Sequence, residues 1–231
     1  MARRVPPERF QDMIEAATRV FIALGYRRTQ MVDVANAMGV AKGTLYLYVE
    51  SKEALFDAVV RHADRPHPIP APAELPLRTP KPEATLAEVE RRLAEEGALP
   101  SLAAALTRSR VADVRAELAA VLSELYEALA RHRVGIKLLD RCALDYPELA
   151  ELWYRAGREG ALSLLSQYLD DRARRGRLQR FEDEAVAARI VLETLIFWAV
   201  HRHWDAHPQR VSDAAAQNTA IQFIVSALLK E

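Results

Sequence analysis

A single cysteine, Cys142, leaves the 231-residue chain with no internal disulfide and no cysteine-based zinc cluster, as suits a reducing compartment. Glycine is also scarce: eight residues, with no phosphate-cradling glycine loop and no GxSxG elbow among them. There is no net charge, since 32 basic residues balance 32 acidic ones, so no global field draws a polyanion and any nucleic-acid site has to be local. Long hydrophobic runs are missing too. The most apolar stretch, residues 190–200, is broken by Glu193 and falls well short of the roughly 20 residues a membrane-spanning helix needs. Residues 1–9 carry charge and two prolines with no apolar run behind them, so no secretory signal is expected. The expectation is a cytoplasmic protein with no membrane partner.

What is present is an ordinary globular composition, 50% hydrophobic and 28% charged, in a chain long enough for one or two domains at roughly 150 residues each. Seven of the twelve prolines lie between Pro66 and Pro82. Such density forbids a helix ladder and favours extended chain. It divides the sequence into residues 1–65, a linker over 66–82, and residues 83–231.

Helical periodicity is plain on both sides of the linker. Phe10, Ile14, Ala17, Phe21 and Leu24 step by three and four up to Gly25. Val111, Val114, Leu118, Val121, Leu125 and Leu129 do the same, as do Leu149, Trp153, Ala156, Gly160, Leu164 and Tyr168 on a helix that Pro147 opens and Gly176 closes. Residues 184–199 are apolar on most of their circumference, which predicts a helix buried on two sides, and Ser212 is placed to cap a last helix bearing Ile221, Val225 and Leu228. The fold class is all-α: an N-terminal three-helix module followed by an antiparallel helical domain.

Within the first module, residues 31–38 and 42–48 form two short helical stretches joined by Gly39-Val40-Ala41, the geometry of a helix-turn-helix. Val34, Ala35 and Val40 are small or apolar where the two helices must meet. Lys42 stands at the start of the second helix, where its ammonium and the free backbone N–H groups can meet a phosphate. Gly43 allows close approach, Thr44 brings a hydroxyl and a methyl, and Tyr46, Leu47 and Tyr48 bring phenols and apolar surface. Ser51-Lys52 then caps and opens a further helix. Taken alone, this pattern fits a major-groove reader and also fits two helices packed into a core.

The residues Gly25-Tyr26-x-x-Thr29, Asp33-Val34-Ala35, Gly39-Val40, Gly43-Thr44-Leu45-Tyr46 and Ser51-Lys52-Glu53-x-Leu55 together resemble the N-terminal signature of the TetR family of bacterial transcriptional regulators, without gaps from about residue 10 to 61. Three positions depart from it: Ala41 where Ser or Thr is usual, Gln30 where a second Thr or Ser is common, and Tyr48-Val49 in place of a His-Phe pair. The resemblance implies that Thr29 and Gln30 lie near the DNA backbone, that Lys42, Thr44, Leu47 and Tyr48 lie in or beside the major groove, and that Tyr46 and Lys52 meet phosphates; Gly43 joins this DNA-binding set through the close approach it allows. Ten basic against eight acidic residues over 1–65 give only a small excess, so placement and dimerisation must supply most of the affinity.

The resemblance further implies a homodimer joined through the last two helices, here about 182–207 and 212–229, with Ile221, Val225 and Leu228 as its stripe; packing within one chain is the other reading of that stripe. For an effector pocket the candidates are Tyr126, Cys142, Trp153, Gly160 and Tyr168, on or beside apolar stripes, which also suit plain core. Such a pocket favours a small hydrophobic or amphipathic effector. The signal is expected to pass through packing of the 51–63 helix against residues 134–144, with little dependence on the length of the proline tract.

No catalytic set stands out. His203 and His207 share a spacing of four but lack a third ligand, and Cys142 has no base beside it in sequence. No enzyme activity, metal or cofactor is expected. The expected function is a ligand-responsive transcriptional repressor on double-stranded DNA, nucleoid-associated when bound and released by its effector. The alternative is a DNA-binding protein of the same fold without an inducer, acting as an activator or in chromosome organisation.

Overall fold

The computed structural model describes residues 7–64, 68–81 and 83–230. Its helices are α1 (Pro7–Leu24), α2 (Met31–Ala37), α3 (Lys42–Leu45), α4 (Lys52–His62), α5 (Ala84–Glu96) and α6 (Pro100–Thr107). They continue as α7 (Val114–Arg131), α8 (Arg133–Ala143), α9 (Pro147–Leu152), α10 (Gly160–Arg174), α11 (Glu184–Ala199) and α12 (Asp213–Leu228). Among the described residues β-type pairing is confined to two isolated bridges, Val49 with Leu77 and Leu178 with Leu229. The chain is all-α.

Packing gathers the described residues into two compact units, one within Met1–Arg92 and Val134–Trp153, the other within Leu93–Arg133 and Tyr154–Glu231. This division does not follow the proline tract. It falls inside α5, and it assigns α8 beyond Arg133, together with α9, to the N-terminal unit.

In the first unit α1 buries Phe10, Met13, Ile14, Ala17 and Phe21 on one face, the stripe that its three-and-four spacing predicts. Each large apolar side chain so buried stabilises by about 1.5–3 kcal/mol. The partner is α4, which the Ser51 hydroxyl caps by accepting from Ala54 N at 3.1 Å and which brings Phe56 edge-on to Phe21 at 5.2 Å. Between them α2 buries Val34 and Ala35, and Gly39, at φ +65°, ends it in the left-handed conformation. Val40 N–H then reaches Ala35 O at 3.0 Å, and α3 follows with Leu45 inward.

The helix at 133–143 is tied to this unit at both ends by carboxylates. Asp64, just beyond α4, accepts from Val134 N and Gly135 N, each at 2.8 Å. Asp145, just beyond α8, accepts from Tyr26 N at 3.0 Å and Arg27 N at 3.1 Å. Each carboxylate has a glycine making room for it. A Cβ on Gly25 would stand 2.6 Å from Asp145 Oδ2, and one on Gly135 would clash with Asp64 Oδ2. Tyr146 stacks on Tyr26 with ring centres 4.9 Å apart, sealing the join.

The proline tract is not a free spacer. Its described part turns once at Pro72–Glu74, where the Glu74 carboxylate accepts from Ala71 N at 2.6 Å, and then docks by backbone hydrogen bonds beside Val49.

In the second unit α11 packs against α7, α10 and α12, while α6 packs against α7 and α10. Leu118, Leu122, Leu165, Ala188, Leu195 and Ile224 are among its buried apolar residues. Asp113, Asp183 and Ser212 cap α7, α11 and α12 through their side-chain oxygens. A fully buried Arg172 is held by Glu117 at 2.8 Å and by the carbonyl of Ala105 at 2.6 Å. Burying a guanidinium demands such partners. Two sequence expectations change here. The helix expected from Pro147 through residue 174 opens into a π-turn at Trp153–Glu159, where Gly157 and Gly160 weaken helix propensity. And α11, expected to be buried on two sides, leaves Val186, Ile190 and Phe197 53%, 62% and 43% exposed within this chain.

Candidate nucleic-acid interface

The surface formed by α2, α3 and the segment to Lys52 sorts the candidate residues by the helical period. Leu45, Tyr48 and Val49, spaced three and four apart, turn inward and are fully buried. Lys42, Gly43, Tyr46 and Leu47 face outward, and Thr44 is half-buried. Tyr46 and Leu47 are 42% and 39% exposed, a phenol and an isobutyl group left in water beside a lysine. Gln30 is exposed at the start of α2, where its backbone N–H donates to Asp33 Oδ2 at 2.8 Å. No side chain caps α3, because Ala41 occupies its N-cap, and the Ala41 carbonyl accepts from Thr44 N at 2.8 Å.

Two candidates do not lie on this surface. Tyr48 is 1% exposed and cannot reach a groove; its place three residues after the inward Leu45 makes it core, and burial pushes its phenol pKa up. Thr29 is also 1% exposed, and its hydroxyl donates to Gly25 O at 2.6 Å, closing the turn between α1 and α2. Lys52 is intermediate: its ammonium donates to Tyr26 O at 3.2 Å and Arg27 O at 3.4 Å and sits 4.6 Å from the centre of the Tyr26 ring. It braces the turn that Asp145 holds from the other side.

The five pocket candidates are divided between the two units. Cys142 and Trp153 belong to the first unit, Tyr126, Gly160 and Tyr168 to the second. Cys142 is fully buried with its sulfur 4.0 Å from Phe21 O, and burial, reinforced by Asp145, pushes its thiol up to about 12. Trp153 Nε1 donates to Asp140 Oδ1 at 2.6 Å. Tyr126 OH donates to Trp198 O at 3.2 Å, and Tyr168 OH to Glu117 Oε1 at 3.3 Å. These are satisfied core residues. The second unit has instead an open cleft of about 300 Å³ lined by Pro100, Ser101, Ala104, Arg108, Glu117, Ala120 and Val121, and none of the five candidates lines it. The α12 stripe likewise turns inward: Ile221, Val225 and Leu228 are 9%, 4% and 4% exposed, packed within one chain. The apolar groups left outside on α11 and α12 are Val186, Ile190, Phe197 and Phe223, the last 71% exposed. Hydrophobic periodicity marks both sides of α11 alike and so does not single out this face, and no local pattern sets a helix-end acid such as Asp64 or Asp145 apart as a latch.

Two family models match. Bacterial regulatory proteins of the tetR family match residues 13–59, and the AefR-like transcriptional repressor C-terminal domain matches residues 114–229, half of the chain. The chain belongs to the TetR family. It is thus a transcriptional regulator with a helix-turn-helix DNA-binding module. Among curated relatives, the uncharacterized HTH-type transcriptional regulator YhgD of Bacillus subtilis is 42% identical over 52 residues, which are 22% of this chain and 27% of that protein. The HTH-type transcriptional repressor KstR2 of Rhodococcus jostii is 34% identical over 50 residues, 22% of this chain and 24% of that protein. The match thus spans about a quarter of the length of these TetR-family relatives. Across the whole chain, the ketosteroid transcriptional regulator KstR2 of Mycobacterium tuberculosis has the same fold, with a TM-score of 0.55 at 17% identity and complete coverage of both chains.

Proposed function

We propose that this TetR-family protein is a homodimeric repressor that binds a pseudo-palindromic DNA operator and is released by a small hydrophobic or amphipathic effector. The observation that carries the reading is the outward set Lys42, Gly43, Tyr46 and Leu47 on a short helix whose opposite side, Leu45, Tyr48 and Val49, is locked into the core. A short helix with one lysine, a backbone-accessible glycine and two exposed bulky groups suits insertion into a major groove. Gln30 would stand near the backbone, and Lys52 would shape the turn as well as add charge. Two copies joined through Val186, Ile190, Phe197 and Phe223 would present two such helices about 34–36 Å apart, one turn of DNA.

Release would act through α8 and α9. The chain passes from the second unit into this segment at Arg133 and leaves it at Trp153, and Asp64 and Asp145 hold it to both flanks of the helix-turn-helix. An effector that binds the second unit with different affinity in two states would shift this segment and, with it, the spacing of the recognition helices. The hydrophobic character of the effector is supported by the names of two relatives, a ketosteroid regulator of full-length fold similarity and a fatty acid metabolism regulator of Bacillus subtilis that is 40% identical over 45 residues.

The test is selection of binding sites from random duplex DNA by the full-length protein at fixed salt, with a Lys42→Ala, Tyr46→Ala variant alongside. An enriched palindrome that the variant no longer selects is the expected result. Failure to enrich any sequence, with only weak and steeply salt-dependent binding, would overturn the reading.

A further inference from the structure

The proline tract ends in a strap that pairs with the segment following α3. Leu77 N–H donates to Tyr48 O at 2.8 Å, and Leu77 O accepts from Glu50 N at 2.9 Å, a parallel bridge around Val49. Two residues on, Thr79 N–H donates to Glu50 Oε2 at 3.0 Å, and the Thr79 hydroxyl meets Ser51 Oγ at 2.9 Å. The strap is therefore in register, residue for residue, with the segment that joins the exposed Tyr46 and Leu47 to Lys52. Backbone pairing of this kind fixes its position without depending on side chains.

The strap brings two cations to that place. Arg78 lies between the two registered residues and Lys81 two residues beyond them, both exposed and neither ion-paired with a described residue. Of the acids near them, Glu50 accepts from Thr79 N and Glu74 from Ala71 N, while Glu83 is exposed two residues past Lys81. Charge matters here because residues 1–65 carry ten basic against eight acidic groups, a field too weak to hold a polyanion well. Two additional positive groups on the chain paired with residues 48–51 change that balance locally.

We infer that the Leu77–Lys81 strap is part of the DNA interface, with Arg78 and Lys81 contacting phosphates that flank each half-site. The inference rests on the DNA-binding reading above. Such contacts fix register and add affinity while carrying no base information of their own.

The experiment measures affinity for the selected duplex as a function of salt, for the wild-type protein and for the Arg78→Ala, Lys81→Ala variant. Each lost phosphate contact reduces the slope of log K against log salt by about 0.9, so the variant should lose close to two units of slope per protomer while selecting the same bases. A second variant, Arg110→Ala with Arg115→Ala, removes the same charge from the second unit and should leave the slope unchanged. Equal slopes for wild type and the strap variant, or an equal loss in both variants, would overturn the inference while the DNA-binding reading stands. A wild-type protein that selects no site would overturn both.

Discussion

Substituting Gly25 by alanine tests whether the Asp145 latch is an energetic fact. Gly25 sits at φ +85°, where an L side chain costs about 1–2 kcal/mol. The new Cβ would also stand 2.6 Å from Asp145 Oδ2, so the carboxylate has to leave. That carboxylate accepts from two backbone N–H groups, of which Tyr26 N is part-buried and Arg27 N is exposed. Hydrogen bonds to a charged group contribute about 1.5–3 kcal/mol, and with the exposed donor recovering water the latch is worth about 2 kcal/mol. Gly25→Ala should then destabilise by about 3–4 kcal/mol and Asp145→Ala by about 2 kcal/mol. The double variant should lose only about 3–4 kcal/mol, because the clash has nothing left to displace, giving a coupling of about 2 kcal/mol in a double-mutant cycle. Urea unfolding of the four proteins measures it. Additive losses, near 5–6 kcal/mol in the double variant, would refute the latch.

Other consequences follow from single sites. Cys142, fully buried with its thiol raised to about 12, should react with a thiol reagent only as the protein unfolds, and stoichiometric labelling of native protein within minutes would contradict its burial. Arg172→Met takes from the buried Glu117 carboxylate its nearest cation, leaving Tyr168 and the more distant Arg108, and should cost about 3 kcal/mol by denaturant midpoint, whereas Arg172→Met combined with Glu117→Gln should cost less. His203 has its pKa lowered by desolvation and by Arg133 and Arg202, which outweigh Asp213. The unfolded chain therefore binds a proton there more readily, so stability present above pH of about 6.5 is lost as pH falls, and His203→Gln should flatten that decline in a thermal melt. Ile190→Glu with Phe223→Glu places charge on the exposed face of α11 and α12 and should yield monomers by sedimentation, with half-site affinity alone remaining.

Much of the first unit is legible in the sequence because its signals are local. Gly39 ends α2 and Ser51 caps α4 for reasons contained within four or five residues. The division between Tyr46 and Tyr48 follows the same local logic, since Tyr48 stands three residues after the inward Leu45. Other features were not local. Ile221, Val225 and Leu228 form a good stripe, and a stripe says that a face is buried without saying what buries it. Tyr126, Trp153 and Tyr168 invite a pocket by their polar tips, but each tip finds a partner within its own unit, at Trp198, Asp140 and Glu117. Asp64 and Asp145 act on backbone N–H groups about 70 and 120 residues away in sequence, as the separations of 70 and 119 between the bonded residues record, and nothing near either acid announces this.

The proline tract brings the local and the distant together. Its prolines do exclude helix, as composition demands, yet the chain that cannot form a helix can still donate and accept across a neighbour, and Leu77 does both around Val49. Two parts of the tract therefore carry different constraints. Residues added before Pro72 lengthen chain that precedes the docking point, and the cost of such an insertion rises only slowly with length. A residue added between Leu77 and Thr79 breaks the register that places Thr79 on Glu50 and Ser51, and it displaces Arg78 from its place between the two paired residues. Tolerance of length is thus expected upstream of the turn at Pro72–Glu74 and intolerance downstream of it, a difference that a tract acting only as a spacer between two modules would not show.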